Sequence, residues 1–419
     1  MSGVPRLVRR SLPARGARRA ALLGTALLGL GLVVVAPATA QATTITVGVA
    51  GPSCRGATTS SVAAAVAAAA PGAVITVCPG IYTGTVVISK PLTLHGAQHG
   101  VDARGGRTNL AKESIIDGGG AAGIQITGTT SGVTVDGFTI RNSGTDAQEH
   151  DGIEAFSGGS GFNFLNNVVT QTTYGINMSS LGTPGSTVAR NRFDTNNRSG
   201  SRGGSGVFIC CGPGNNLSIT DNLFTGNNSA AVNTAGDGNR PSTGLKIQRN
   251  QSIDDATFAV VVNAMGASVS DNVVQRTTRA TVAVGSALYI GGGTTGVQIT
   301  RNTVSGGAAT GIRVTNAFGP VNNSLVVSGN RIVGRSDGIR LTGQTSGSIN
   351  TNDVAQSTDV GILLDKDNAG VTVNGNKVAG SKVLDCQDVS TGSRTAGTAD
   401  TWTANLGVRA QPRGLCGIR

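Results

Sequence analysis

Apolar and polar positions alternate along this chain in a pattern that returns every 22 to 31 residues. Each return opens with a phrase in which a small residue precedes an apolar one, and a second phrase centred on Asn follows. The first phrase occurs at Asp151-Gly152-Ile153, Tyr174-Gly175-Ile176, Ser205-Gly206-Val207, Ala230-Ala231-Val232, Phe258-Ala259-Val260, Ala287-Leu288-Tyr289-Ile290, Thr310-Gly311-Ile312, Asp337-Gly338-Ile339 and Val360-Gly361-Ile362. A repeat of this length buries its apolar side only by stacking on its neighbours, so the pattern predicts a solenoid.

The Asn residues of the second phrase form a column when the coils are stacked. They are Asn167, Asn191, Asn222, Asn250, Asn272, Asn302, Asn330, Asn352 and Asn376. Stacked amides hydrogen-bond from coil to coil, so we interpret this column as a structural ladder and not as a catalytic set. Gly accounts for 64 of the 419 residues and aromatic residues for 3%. We therefore expect a core of Val, Ile, Ala and Leu in strands, with Gly and Asn at the corners.

The first forty residues differ from the repeats that follow. Six arginines and no acidic residue precede Ala20, an apolar run extends from Ala20 to Ala36, and Ala38-Thr39-Ala40 offers small residues for cleavage. This order is typical of a secretory signal peptide, with a marginal membrane anchor as the alternative. Arg9-Arg10-Ser11-Leu12 resembles a twin-arginine export motif, and the choice between Sec and Tat export stays open.

The net charge of +11 depends largely on that segment. Without its six arginines, 27 of the 33 basic residues remain against 22 acidic ones. No run of Lys and Arg interleaved with aromatic residues is left, so we expect no nucleic-acid partner. We also expect a monomer without membrane contact after the signal peptide is removed.

All six cysteines follow the leader, and an even number in an exported chain favours disulfides. Their positions predict a bond between Cys54 and Cys78 near one end of the solenoid and between Cys386 and Cys416 near the other. The adjacent pair Cys210-Cys211 either forms a vicinal disulfide or stays reduced. No CxxC pair or His cluster accompanies these cysteines, so we expect no metal site.

The two ends of the solenoid carry their own signals. The Ala-rich stretch from Ser60 to Ala70, ended by Pro71-Gly72, predicts a short helix that covers the first coil. Trp402 is the only Trp, and we expect it to pack on the last coil instead of binding sugar. The predicted organisation is a signal peptide at 1–40, an N-terminal cap at 41–84, coils at 85–385 and a C-terminal cap at 386–419, with roughly eleven coils.

The segment from Ser61 to Gly96 and the coils after it resemble the right-handed parallel β-helix, pectin-lyase-like superfamily. The motifs that carry the resemblance are Ser61-Val-Ala-Ala-Ala-Val, Pro71-Gly, Pro79-Gly-Ile-Tyr-Thr-Gly and Ser89-Lys-Pro-Leu-Thr-Leu-His-Gly96. The resemblance covers roughly residues 54 to 385, and the tail is similar to that of secreted bacterial β-helix proteins without an assigned activity. It implies an all-β solenoid with a short N-terminal capping helix and a disulfide-linked C-terminal cap.

The resemblance is specific for the fold and unspecific for the chemistry. The superfamily includes polysaccharide lyases, polygalacturonase-type hydrolases, uronate epimerases, a periplasmic copper-loading protein and adhesin-like surface proteins. Its hydrolases carry an Asn-x-Asp, an Asp-Asp pair, a Gly-His-Gly and an Arg-x-Lys on about three successive coils. Here Asp151 and Arg313 match the first and last of these motifs, Thr315 replaces the Lys, and Asp254-Asp255 looks like the pair. Gly285-Ser286 brings no His.

The spacing of these residues excludes that hydrolase assignment. Asp151 and Arg313 lie six coils apart, which is roughly 29 Å at about 4.8 Å per coil. Two catalytic acids of a glycosidase lie no more than about 10 Å apart.

The residue after each Gly-Ile pair points out of its coil, so these residues form one outward column. The expected column is Glu154, Asn177, Phe208, Asn233, Val261, the residues near 287–290, Arg313, Arg340 and Leu363. A basic cluster in its C-terminal half consists of Tyr289, Arg313 and Arg340, flanked by Arg276 and Arg279. An acidic cluster in its N-terminal half consists of Asp146, Glu149, His150, Asp151 and Glu154, beside Tyr174 and Asn177.

A uronate lyase needs a cation that neutralises the sugar carboxylate, together with a base and a proton donor. We therefore predict Tyr289 and Arg313 as catalytic residues. The predicted substrate-binding residues are Arg340, Arg276, Arg279 and Asn177. The structural alternative is a solvated ladder of Arg residues with Asp337. The second candidate site is the acidic set His150, Asp151 and Glu154, either as a general acid or beside a calcium ion, and its structural alternative is a polar surface.

The sequence thus predicts a secreted, extracellular protein directed at polysaccharide, with a lyase that acts on an acidic, uronate polymer as the favoured function. A non-catalytic solenoid that binds carbohydrate or matrix is the alternative, since the catalytic sets are incomplete and aromatic residues are few. A periplasmic metal-loading role is a third class, and the three His and three Met residues argue against it. No cofactor is required, although calcium is compatible with the acidic cluster.

Overall fold

The computed structural model describes residues 44–145, 147–198, 203–236, 240–277, 285–317 and 319–418. The chain divides into two units, Met1–Gln41 and Ala42–Arg419. The expected signal peptide falls in the first unit and lies outside the described residues. The second unit is the solenoid.

Three parallel sheets form the solenoid, and a coil passes through sheet II, sheet I and sheet III in turn. Sheet I has 14 strands: Thr44–Val47, Val74–Val77, Thr93–His95, Thr134–Asp136, Asn163–Leu165, Ser186–Ala189, Leu217–Thr220, Lys246–Gln248, Ser268–Ser270, Gln298–Thr300, Leu325–Ser328, Gly347–Asn350, Val371–Asn374 and Thr401–Thr403. Sheet II has 13 strands: Val86–Ile88, Ile124–Ile126, Ile153–Ala155, Tyr174–Ser180, Ser205–Gly214, Ala230–Gly236, Ala259–Val261, Ser286–Ile290, Thr310–Val314, Ile339–Leu341, Val360–Leu364, Leu384–Asp388 and Ala410–Gln411. Sheet III has 12 strands: Gly80–Thr83, Ser114–Asp117, Phe138–Arg141, Val168–Thr170, Arg192–Asp194, Leu223–Thr225, Gln251–Ile253, Val273–Gln275, Thr303–Ser305, Arg331–Val333, Asp353–Ala355 and Lys377–Ala379.

The remaining regular elements are short. A two-stranded parallel sheet joins Ser242–Thr243 to Ala264–Met265. The helical elements of the described residues are the α-helix Val62–Ala68 and the 3₁₀ turns Ala103–Gly105, Leu110–Lys112 and Thr395–Gly397. The all-β parallel solenoid is therefore confirmed. Its 13-stranded sheet II corresponds to about 13 turns, more than the roughly eleven expected, because the first and last coils lack the Gly-Ile phrase.

The core consists of side chains that alternation directs inward, each stacked on its equivalent in the next coil. In sheet II, Ile176 pairs with Ile153 on one side and with Val207 on the other, and all three are fully buried. In sheet III, the rings of Phe193 and Phe224 stack with centroids 4.9 Å apart. Each coil buries its apolar side only against its neighbours, so stability is distributed along the stack.

The Asn column is a buried hydrogen-bonded ladder at the corner between sheets I and III. Asn272 illustrates the pattern, since its Oδ1 accepts from N and Nδ2 of Asn250 at 2.9 and 3.0 Å. Its Nδ2 donates to the carbonyl of Ile247 and to Oδ1 of Asn302, both at 2.9 Å. The structural interpretation of the column is confirmed, and the ladder continues beyond the expected set to Asn405.

The helix Val62–Ala68 covers the first coil, as predicted. Oγ of Ser61 accepts the N–H of Ala64 at 3.2 Å and caps the helix. Val62, Ala65 and Val66 are buried in the core cluster that the first strands share. The helix therefore shields apolar surface that no preceding coil covers.

The disulfides follow the predicted pairing. Cys54 bonds Cys78 near the capping helix, and Cys386 bonds Cys416 near the other end. Cys210 and Cys211 form a vicinal disulfide, which resolves the choice that the sequence left open.

Trp402 packs on the last coil and is 3% exposed, with its indole N–H donated to Oδ2 of Asp388 at 2.8 Å. Among the described residues, no helix combines the length and apolar character that a membrane crossing requires.

Candidate functional site

The outward side chains of sheet II form one continuous column from coil to coil. In register order they are Val87, Gln125, Glu154, Asn177, Phe208, Asn233, Val260, Tyr289, Arg313, Arg340, Leu363, Gln387 and Gln411. The assignment of Val261 to this column is wrong, because Val261 is fully buried in the core and Val260 packs outward against Tyr289. The register shifts by one because Ala259, not Val260, pairs with the inward Val232 of the preceding coil.

The structure brings Tyr289, Arg313 and Arg340 onto successive coils, as the sequence predicts. Arg340 is already ion-paired: its Nε lies 3.0 Å from Oδ2 of Asp365 and its Nη1 lies 3.7 Å from Oδ2 of Asp337. The expected basic cluster is thus a network of mixed charge, and the ladder with Asp337 is present.

Arg313 and Tyr289 differ from Arg340 in their surroundings. Nε of Arg313 is buried and has no hydrogen-bond partner among the described residues. Tyr289 is 3% exposed, and burial raises the pKa of its phenol while the charge of Arg313 acts in the opposite direction. The phenol is therefore held protonated and is nearly closed to solvent.

Arg276, one of the two flanking arginines, is paired elsewhere. Arg276 lies on the turn after a sheet III strand, and its Nε is 2.9 Å from Oδ1 of Asp254 in the preceding coil. Arg279 lies outside the described residues. Asp255, the partner of Asp254 in the expected pair, is fully buried and accepts from Nδ2 of Asn227 at 2.7 Å. Both acids of that pair therefore have structural partners.

The acidic cluster forms a compact site on the outward face of sheet II. Asp151 is 4% exposed, and its carboxylate accepts the N–H of Tyr174 at 3.2 Å and Nδ2 of Asn177 at 2.9 Å. Glu154 is 7% exposed, and its carboxylate accepts Nε2 of Gln125 at 2.9 Å. Amides on the coils before and after thus hold the two carboxyl groups in place.

Two further atoms belong to this site. Nδ1 of His150 lies 3.5 Å from Oε1 of Glu154. Oδ1 of Asn177, which is 8% exposed, is buried without a hydrogen-bond partner among the described residues. Asp146, which the sequence placed with this cluster, lies outside the described residues.

Burial governs the electrostatics of the acidic cluster. Desolvation, together with the charges of Glu154 and Glu149, raises the pKa of Asp151 to about 7, and the hydrogen bonds from Asn177 and from the N–H of Tyr174 oppose the change. Burial also raises the pKa of Tyr174 to about 12. Asp151 therefore holds a proton up to neutral pH, which a carboxyl group in water does not do.

The coil at Asp337 has the same Asp-Gly-Ile sequence and the same backbone hydrogen bond as the coil at Asp151, but a different residue follows the Ile. Asp337-Gly338-Ile339-Arg340 aligns with Asp151-Gly152-Ile153-Glu154, and Oδ1 of Asp337 accepts the N–H of Val360 as Asp151 accepts that of Tyr174. Asp337 has an arginine three residues later, whereas Asp151 has a glutamate. Among the residues that the structure describes, no Arg or Lys forms an ion pair with Asp151, and a buried acid beside a second acid is typical of a functional site.

The described residues offer no ready metal centre. No group of three or more His, Cys, Asp or Glu side chains within them is arranged to hold a metal ion. A carboxyl group with a raised pKa, Asp151, beside a second carboxyl group, Glu154, is suited to proton transfer.

Sequence reasoning missed two neighbours of these sites. Gln125 follows Gly123-Ile124, so the Gly-Ile phrase begins one repeat earlier than the nine that were counted and would have identified it. Asp365 follows the strand Val360–Leu364 at a turn, and no sequence signal pairs it with Arg340.

The buried carboxyls predict a pH dependence of stability. The folded pKa of Asp151 is about 7 against 3.8 in the reference state, so its protonated form stabilises the fold below pH 3.8 and that contribution disappears as pH rises through 7. We expect Asp151→Asn to be more stable than the wild type at pH 8 by up to about 4 kcal/mol, with the difference vanishing near pH 4. Thermal unfolding followed by circular dichroism at both pH values measures it. A stability difference that stays constant from pH 4 to pH 8 would contradict the raised pKa of Asp151. Asp255 is present in both proteins, so its titration does not contribute to the difference.

Comparison with known proteins identifies the family of this chain. The family model of the right-handed β-helix region matches residues 81–252 and 252–398. The chain belongs to the right-handed β-helix family. No curated protein matches this chain in sequence.

Solved structures agree with this fold. The periplasmic alginate epimerase AlgG is similar to the β-helix with a TM-score of 0.51 at 12% identity, over 81% of this chain and 77% of that chain. The pre-mature bacteriophage phi29 gene product 12 gives a TM-score of 0.52 at 11% identity, over 79% of this chain and 52% of that chain. At such identities the likeness establishes the fold alone.

Proposed function

We propose that this β-helix is an exported, monomeric enzyme that acts on polysaccharide by acid–base chemistry at Asp151 and Glu154. One observation carries the proposal: the two carboxyl groups lie together on the outward face of sheet II, and the pKa of Asp151 is raised to about 7. The three disulfides fit an oxidising compartment outside the cytoplasm. Alginate, the polymer named for the similar epimerase, is a polysaccharide.

The proposed chemistry follows from the different environments of Asp151 and Glu154. Asp151 is protonated near neutral pH and donates its proton to the glycosidic oxygen as the bond from that oxygen to the anomeric carbon breaks. Glu154 accepts a proton from the water that attacks the anomeric carbon. The overall reaction is hydrolysis of the glycosidic bond, and it requires no cofactor. His150, beside Glu154, is placed to relay that proton to solvent.

The test is incubation of the full chain with a panel of uncharged and uronate polymers. Reducing ends report hydrolysis, absorbance near 235 nm reports the unsaturated product of a lyase, and affinity gel electrophoresis reports binding. New reducing ends without absorbance near 235 nm, unchanged by a calcium chelator, support the proposal. Binding to a polymer without any product would leave a non-catalytic carbohydrate-binding solenoid, and a loss of turnover with the chelator would indicate a calcium-dependent site.

A lyase that acts on a uronate polymer is the second candidate. The observation that favours it is Arg313, whose buried Nε has no partner among the described residues and whose strand neighbour in the preceding coil is Tyr289. In this hypothesis Arg313 neutralises the sugar carboxylate and Tyr289 transfers the proton. Arg340, Arg276, Arg279 and Asn177 are then the proposed substrate contacts.

The lyase hypothesis predicts that Arg313→Ala with Arg340→Ala abolishes release of the unsaturated product while the fold stays intact, because both side chains lie outside the core. We expect a loss of turnover of about 100-fold or more, since charge stabilisation by such groups contributes strongly to elimination. Asp151→Ala with Glu154→Ala serves as the comparison and should have a smaller effect on an anionic substrate. The reverse ranking would assign the chemistry to the acidic cluster.

A further inference from the structure

An insertion on the outward face of sheet II adjoins the acidic cluster. Between two aligned coils, Met178 pairs with Ile209 and Ser180 pairs with Gly214, so residues 210–213 occupy the space of the single residue Ser179. The insertion folds back over the earlier coil, because a Cβ on Gly212 would lie 2.9 Å from Cβ of Ser179. Ser179 is consequently 1% exposed.

The vicinal disulfide shapes this insertion. Cys210 and Cys211 are bonded to each other, Cys210 is half-buried and Cys211 is exposed to solvent. Cys211 has a φ of 66°, a left-handed backbone that side chains other than Gly and Asn rarely adopt. The disulfide therefore presents an uncharged, polarisable surface on the outside of the sheet.

An aromatic pair joins the strand that carries the disulfide to the coil that follows Asp151. The rings of Tyr174 and Phe208 stack with centroids 4.4 Å apart and an angle of 23° between their planes. Phe208 pairs in register with Asn177, which holds Asp151. Among the Phe residues that the structure describes, six are fully buried in the core, whereas Phe208 is half-exposed on this outward face.

These features together have the chemistry of a sugar subsite. The aromatic pair and the neutral disulfide on the strand of Phe208 offer apolar surface to a pyranose ring, and the neighbouring carboxyl and amide groups can hydrogen-bond ring hydroxyls. The carboxylates of Glu154 and Glu149 give the neighbourhood a negative charge, which repels a sugar carboxylate. The surface therefore favours an uncharged sugar.

We propose that Tyr174, Phe208 and the Cys210–Cys211 disulfide form a binding subsite for an uncharged pyranose unit of a polysaccharide. This subsite specifies the substrate class of the proposed function. Its role in the reaction rests on that function, whereas the binding of the sugar does not. The substrate class is then a neutral glycan, and the bond to be cut lies next to the unit that stacks on Phe208.

The experiment is affinity gel electrophoresis of the full chain in soluble β-glucan, mannan and galactan as uncharged polymers and in alginate and polygalacturonate as uronate polymers. We expect retardation by at least one uncharged polymer, and we expect Phe208→Ala to weaken it about ten-fold. The double change Cys210→Ser with Cys211→Ser should also weaken it. Phe208→Tyr, which keeps a flat ring, should bind like the wild type.

Leu363→Ala is the matched control, since Leu363 is an apolar residue of the same outward column far from the subsite. Equal binding by the wild type and Phe208→Ala, retardation only by uronate polymers, or no retardation by any polymer would overturn the subsite. Circular dichroism verifies that each variant is folded. Turnover by the wild type separates the two proposals: binding that depends on Phe208 without any turnover would refute the enzyme and keep the subsite.

Discussion

Replacement of Asp151 by Asn is expected to lower the rate of glycan hydrolysis by about 10²- to 10⁴-fold, the range that a positioned general acid contributes. The amide has nearly the shape of the acid and can still accept the N–H of Tyr174, but it has no proton to donate at neutral pH. Initial rates of reducing-end release from the polymer that the wild type degrades best measure the effect.

Asp337→Asn is the matched control because Asp337 occupies the same Asp-Gly-Ile frame and accepts the N–H of Val360. Its partner is Arg340 instead of a second acid, so its loss should leave the rate unchanged. The wild-type rate should also fall as pH rises above 7, where Asp151 loses its proton. Equal rates for the wild type and Asp151→Asn, or equal losses in both variants, would remove Asp151 from the mechanism.

Replacement of Asn272 by Ala is expected to destabilise the solenoid by about 3–5 kcal/mol, because several buried polar groups lose their partners at once. The backbone N–H and Nδ2 of Asn250 lose the Oδ1 acceptor of Asn272, and the carbonyl of Ile247 loses a donor. Urea unfolding followed by circular dichroism measures the change.

Asn374→Ala provides the control for the ladder. Asn374 is exposed near the same corner and its Oδ1 accepts from the hydroxyl of Thr403 at 2.9 Å. We expect it to cost well under 1 kcal/mol, as surface substitutions usually do. A ladder variant no less stable than this control would mean that the amide column is not a major source of stability.

Much of the fold was readable because a solenoid repeats a local rule. The alternation around Ile153, Ile176 and Val207 set which side chains point inward, and the recurrence of Asn set the ladder. The error at Val261 shows the limit of that rule. Where Phe258 and Ala259 replace Gly and Ile, only the hydrogen-bond register reveals which residue points outward.

The chemistry of the outward column was less predictable, because it depends on distances between coils. The sequence brought Arg313 and Arg340 together as a basic cluster, but Asp365 arrives from a turn and neutralises Arg340. The sequence also ranked the acidic cluster second. Its distinguishing property, the burial of Asp151 between Tyr174 and Asn177, arises only when the next coil stacks on it.

By itself the sequence determined the solenoid, its capping helix, its terminal disulfides and, apart from the coil of Val260, the column of outward residues on sheet II, because each follows from periodicity or from position near an end. Only the tertiary structure decided which outward residues are buried, which charges are paired and where the insertion at residues 210–213 lies against its neighbour. These properties depend on the side chains of adjacent coils, 22 to 31 residues away along the chain. Solvation and charge pairing act through space, so the pattern within one repeat cannot specify them.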